Sequence, residues 1–224
     1  MKKSWTITRF SVLMFFVVAP LLFIFISHAA AGPALSTLGT VKEIRSGKLE
    51  KQEQGAWKAI TAGDKISAQD KVRTDAAGMA VLKLDRIGNL LIGPNSEYTL
   101  GDDHKNFKTT LHKGFVWFKS ALAKGARMEI ATTNAVAGVR GTKFSVLADS
   151  EGVDVCTCKG DVEVTANKKT VRVNSGMFSS VGKDGTASNP DKGKTLLAKQ
   201  WGAKTTRFTA CLQCHSKGQN PADL

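Results

Sequence analysis

The sharpest chemistry in this sequence sits in its four cysteines. They form two pairs, Cys156-Thr157-Cys158 and Cys211-Leu212-Gln213-Cys214, and His215 follows the second pair directly. In a C-x-x-C-H arrangement the two thiols add to the vinyl groups of a haem while the adjacent histidine reaches the iron as an axial ligand. The spacing therefore predicts haem c held by Cys211, Cys214 and His215, with His215 on the iron. Two other outcomes compete for the same sulfurs. Cys156, Cys158, Cys211 and Cys214 together could supply four thiolates to a tetrahedral zinc ion. In an oxidising compartment they could instead close as a disulfide staple or join a partner chain. A sixth iron ligand would have to come from His104, His112, Met79, Met128 or Met177. On a strand, Cys156 and Cys158 point to one side and Val153 and Val155 to the other. Val162 and Val164 share the cysteines' parity, so a bulge near Gly160 is needed if both valine sets are buried.

The rest of the chain offers little to an enzyme. It contains no G-x-S-x-G elbow, no H-E-x-x-H and no phosphate-cradling glycine loop, and four histidines leave little room for a Ser-His-Asp set. Asp102-Asp103-His104 reads as a solvated turn. The expectation is a non-enzymatic protein.

Chemistry of the haem or disulfide kind needs export, and the N-terminus is built for it. Lys2, Lys3 and Arg9 precede an uncharged, mainly apolar run over 10–26, followed by the small-residue exit Ser27-His28-Ala29-Ala30-Ala31-Gly32. That is the layout of a secretory signal peptide over residues 1–31, and it places the remainder in the periplasm. If the segment were kept, its seventeen residues would come close to spanning a bilayer and would anchor the protein. Removing Lys2, Lys3 and Arg9, and no acid, lowers the formal charge from +13 to +10. So basic a chain suggests nucleic acid, but export and scattered lysines argue against it. An envelope protein or an anionic envelope surface is the expected partner.

The elements that must position these residues read as strands. Met79–Leu84, Leu90–Ile92 and Phe115–Phe118 are apolar runs bounded by Gly, Asp or Asn. Around 128–130, 144–146, 153–155, 162–164 and 171–173 apolar and polar residues alternate with period two, so one face of each can be buried. About ten strands imply an all-β jelly roll or sandwich, with a β-solenoid also open. Residues 182–194 carry little to bury and read as a linker. The tail, 195–224, begins with Leu197 and Trp201 four apart, as on one face of a short helix.

Within 37–181 a longer pattern emerges. Gly55-x-Trp57, Gly63-Asp64, Asp70-x-Val72-Arg73-Thr74, Gly93-Pro94-Asn95-Ser96, Gly114-x-Val116 and Gly138-Val139-Arg140-Gly141-Thr142-x-Phe144-x-Val146 appear in order. Gly160-x-Val162-x-Val164 and Val173-x-x-Gly176 complete it. The series resembles the FecR domain. The resemblance implies an extracytoplasmic all-β domain that senses or contacts proteins rather than catalysing. The cytoplasmic sigma-binding part of the family's regulators has no counterpart here, so sigma-factor binding is not expected. Arg140 is read as bracing the turn between Gly138 and Gly141, with carboxylate binding as the alternative. Trp57, Trp117 and Phe118 are read as core. Three roles follow: a haem-bearing interaction domain, a redox or electron-transfer protein mounted on a β domain, or a structural envelope protein stapled by zinc or disulfides.

Overall fold

Strand-forming sequence is punctuated by turn residues throughout, and the chain follows it closely. A computed structural model describes residues 36–192. The strands of the first half are β1 (Thr37–Ser46), β2 (Leu49–Glu53), β3 (Ala56–Ile60), β4 (Lys65–Ser67), β5 (Lys71–Thr74), β6 (Met79–Leu84), β7 (Gly88–Ile92) and β8 (Glu97–Thr99). The long β9 (Asn106–Ser120) follows. The second half holds β10 (Arg127–Ala131), β11 (Val136–Val139), β12 (Lys143–Asp149), β13 (Gly152–Lys159), β14 (Asp161–Ala166), β15 (Lys169–Asn174), β16 (Met177–Gly182) and β17 (Asp191–Lys192). No helix occurs among the described residues.

Pairing arranges these strands into two sheets. The first, sheet A, runs β4-β1-β6-β7-β9-β12-β13-β16-β17. The second, sheet B, runs β3-β2-β5-β8-β9-β10-β11-β14-β15. All pairs are antiparallel except β9 with β10. Strand β9 belongs to both sheets: 106–113 pair within sheet B and 114–120 within sheet A. The strand can cross over because Gly114 adopts a φ of +92°, and a Cβ there would lie 2.3 Å from Ser96 Oγ.

One hydrophobic core lies between the sheets. Sheet A contributes the cross-strand row Leu82, Leu90, Phe118, Phe144, and sheet B contributes Phe107, Met128, Val139, Val162, Val173, all buried in one cluster. Phe118 and Phe144 stack with ring centroids 6.1 Å apart. This is the expected all-β sandwich, and pairs such as β1 with β6 and β9 with β12 exclude a solenoid.

Two expectations need correction. Among the described residues seventeen strands replace about ten, because β2, β3, β4 and β8 are short or largely polar and carry no apolar alternation to read. The stretch expected to be a linker folds back on β16 as far as Lys192. Ala187 is buried and bridges Val181, Ser179 Oγ donates to Ser188 O at 3.0 Å, and Ser180 N donates to Ser188 Oγ at 3.0 Å. Hydroxyl and backbone hydrogen bonds hold it, so hydropathy gave no sign of it. The signal segment 1–31 and the tail 195–224 lie outside the described residues.

Candidate functional site

The turn between β11 and β12 borders a concavity on the outer face of sheet B. In β11, Gly138 faces outward on sheet B between Glu129 of β10 and Glu163 of β14, and Arg172 of β15 continues the row. With no side chain at Gly138 a groove opens. Arg127, Met128, Glu129, Arg140, Glu163 and Arg172 contribute to its lining, and its volume is about 380 Å³. An added Cβ at Gly138 would touch only the Glu163 carbonyl, at 3.7 Å.

The charges along the groove are only partly neutralised. Arg172 sits 3.9 Å from Glu163 and Lys108 sits 3.7 Å from Glu129, both exposed pairs. Such pairs are weak, on the order of 0–1 kcal/mol. Arg127 and Arg140 are exposed, and neither makes an ion pair among the described residues. Arg140 therefore does not brace its turn as the sequence suggested. Gly141, at φ +58°, supplies the turn geometry by itself and leaves the guanidinium to solvent. Two guanidiniums over a glycine floor can take a carboxylate by bidentate hydrogen bonding.

A second polar cluster occupies the other end of sheet B. Trp57 of β3 is half-buried rather than core, with the Arg73 guanidinium 4.3 Å and the Lys71 ammonium 5.9 Å from its ring centre. Arg73 Nε donates to Glu50 Oε2 at 2.6 Å, and Lys71 pairs closely with Glu97. The hydrogen bond from Lys71, opposed by partial burial, holds the Glu97 carboxyl below the usual carboxylate range. The aromatic type of Trp57 by itself favours burial. Here two cations cover its face instead. Trp117 and Phe118 are fully buried.

The cysteine chemistry divides at the boundary of the described residues. Cys211, Cys214 and His215 lie outside it. Cys156 and Cys158 lie on β13 and are both disulfide-bonded, a form in which neither sulfur is a thiolate ligand. Val153 and Val155 face the core, so the buried Cys156 faces outward from sheet A. The required bulge exists: the β12–β13 register slips between Lys143 and Phe144, opposite Cys158, and Gly160 takes φ +87°. Among the described residues, no group of three His, Cys, Asp or Glu side chains is placed to hold a metal ion.

The remaining candidate ligands serve local structure. His104 Nδ1 donates to the Asp85 carbonyl at 3.0 Å, His112 Nε2 hydrogen-bonds Thr99 Oγ1 at 2.9 Å, and Met128 is buried between the sheets. Met177 packs against the core and Met79 opens β6. Asp103 Oδ1 accepts from Lys105 N at 2.9 Å, as a turn residue does. Sequence reasoning missed that Arg127 and Arg140 line one concavity and that two cations cover Trp57, since both features join residues distant in sequence.

Comparison with known proteins fits this architecture. Two crystal structures of a candidate anti-sigma factor from Parabacteroides distasonis resemble the fold. The first, at 2.50 Å resolution, superposes with a TM-score of 0.51 at 15% identity over 58% of this chain. The second, at 1.65 Å, gives 0.51 at 14% identity over 65% of this chain. The chain spans 63% of the first protein's length and 74% of the second's. No curated protein sequence matches the chain. The sequence model of the family described as FecR protein matches residues 70–163, so the span from β5 into β14, including the Arg140 turn, carries the FecR pattern.

Proposed function

We propose that this chain is a non-enzymatic sensing or protein-interaction domain of the periplasm that uses the outer face of sheet B to hold an acidic partner. The observation that carries this reading is the pair Arg127 and Arg140, exposed, without ion-pair partners among the described residues, and set over the gap at Gly138. The formal charge of +13, or +10 once Lys2, Lys3 and Arg9 are removed with the signal segment, favours an anionic partner at long range. The FecR match over 70–163 and the similarity to a candidate anti-sigma factor support protein contact as the kind of function. The signal-like N-terminus supports the address, and no helix among the described residues is long and apolar enough to cross a membrane.

The test is titration of the full chain with a glutamate-rich peptide at low and at physiological salt. Binding should weaken with salt, as exposed charge attraction does. Arg127→Glu with Arg140→Glu should weaken it at least tenfold while leaving the circular dichroism spectrum unchanged. Binding that survives the double substitution would remove the groove from consideration.

A further inference from the structure

The two outward faces of the sandwich differ in kind. On sheet B the outer row is Lys108, Glu129, Gly138, Glu163 and Arg172, charged and open to solvent. On sheet A the outer row is Val81, Leu91, Trp117, Ser145, Cys156 and Phe178, each the direct cross-strand neighbour of the next. Phe115 and Leu147 form a pair beside it. None of these belongs to the core between the sheets, yet none is more than 9% exposed. Lys119 and Phe178, on the same face, are likewise engaged. An apolar face so completely removed from water has a cover.

The cysteines identify that cover. Cys156 and Cys158 are both disulfide-bonded. Two residues apart on an extended strand, their Cβ atoms stand about 6.6 Å apart, twice the rise per residue. A disulfide needs Cβ atoms roughly 3.5–4.5 Å apart. They are therefore not bonded to each other, and the chain's other cysteines are Cys211 and Cys214. The path is short. Strand β17 pairs Asp191 with Phe178, so the chain leaves the described residues at the edge of this apolar row. The nineteen residues from Lys192 to Cys211 could reach about 60 Å when extended. From β16 to β7 the sheet is only about 20 Å wide, four strand spacings. Leu196, Leu197, Trp201 and Phe208 lie in that stretch and can meet an apolar face.

We propose that residues 193–224 seat on the outer face of sheet A, held there by two disulfides joining Cys156 and Cys158 to Cys211 and Cys214. Each bond joins two Sγ atoms. Two protons and two electrons leave per bond, passing by thiol exchange to an oxidising protein disulfide, which is reduced to a dithiol. Export supplies a compartment where such donors act. The assignment excludes haem c at the tail, since thioether formation would consume the same two sulfurs.

Non-reducing tryptic mass spectrometry of the full chain, purified from a periplasm competent in cytochrome c maturation, tests the bonds. Residues 144–159 carry both strand cysteines between Lys143 and Lys159, and 208–217 carry both tail cysteines between Arg207 and Lys217. The two peptides should run as one species, four hydrogens lighter than their sum, and separate on reduction. A haem-bearing 208–217 peptide, one closed on itself, or a 144–159 peptide joined to a second copy would each overturn the proposal. Hydroxyl-radical footprinting tests the seating in the same full chain. Labelling of Leu91, Trp117 and Phe178 should rise several-fold in Cys211→Ser with Cys214→Ser. Unchanged labelling in that variant would assign the face to another occupant.

Discussion

Phe118 and Gly138 show how opposite residue types shape the two sides of one sheet system. Phe118 is fully buried and stacks on Phe144 across β9 and β12. Its truncation to alanine removes both transfer energy and packing, typically about 3–5 kcal/mol for a buried Phe. Urea unfolding of Phe118→Ala should show a loss of that size. Gly138 does the reverse, leaving space that a ligand can use, and a Cβ there meets only ordinary contact. Gly138→Leu should therefore fold with a melting temperature within a few degrees of the parent, yet lose most of its affinity for an acidic peptide. Equal affinity in that variant would argue that ligands bypass the groove. Trp57 belongs to the same scale. Aromatic type alone suggested burial, and only the placement of Arg73 and Lys71 over its ring explains why it stands half in solvent.

Among the elements, the turn after β7 governs how the long strand changes sheets. Thr74 Oγ1 donates to Gly93 O at 2.6 Å and accepts from Ser96 N at 3.0 Å. Ser96 Oγ in turn accepts from Phe115 N at 2.9 Å, next to the bend at Gly114. Ser96→Ala would leave the Phe115 N–H buried without that partner, a loss of about 1–3 kcal/mol. Chemical denaturation should show it, and native-state hydrogen exchange at Phe115 should speed up. The Gly93-Pro94-Asn95-Ser96 motif is thus a structural clasp rather than a binding loop. Across β5 and β8, the Lys71–Glu97 pair makes stability depend on pH. Glu97's folded pKa lies below its ordinary 4.5, chiefly through the hydrogen bond from Lys71. Its contribution is present above pH 4.5 and fades as pH falls through the lowered folded value. Lys71→Met should flatten that part of the acid limb in a stability-versus-pH series, while an unchanged limb would show that the pair contributes nothing measurable.

At the level of the whole molecule, β9 joins the halves, since it is the middle strand of both sheets. Neither β1–β8 nor β10–β17 can complete a core without it. Under oxidising conditions, far-ultraviolet and near-ultraviolet circular dichroism should therefore report one coincident unfolding transition. Separate transitions would mean that the halves are independent. Pairings between strands that are not neighbours in sequence, such as β1 with β6 and β5 with β8, also predict folding in milliseconds to seconds rather than microseconds.

By itself the sequence determined the all-β class and most strand positions in the core, because the period-two pattern in β10, β14 and β15 is a local property. It also carried a sign of the second apolar face. Phe115-Val116-Trp117-Phe118 does not alternate as strands with one wet face do and is buried on both sides, whereas 144–146 alternates in sequence and is buried on both sides all the same. The motif at Gly138–Phe144 located the turn that bears Arg140. The tertiary structure decided the rest. Strand pairing fixed which parity faces the core, brought Arg127 beside Arg140, placed two cations over Trp57 and turned Cys156 away from the core. These depend on neighbours distant in sequence, and no local spacing encodes which strands will meet. The cysteine spacing is the clearest case: C-x-x-C-H specifies a set of thiols and an imidazole, but which atoms those sulfurs bond is set by what the fold brings within about 2 Å of them.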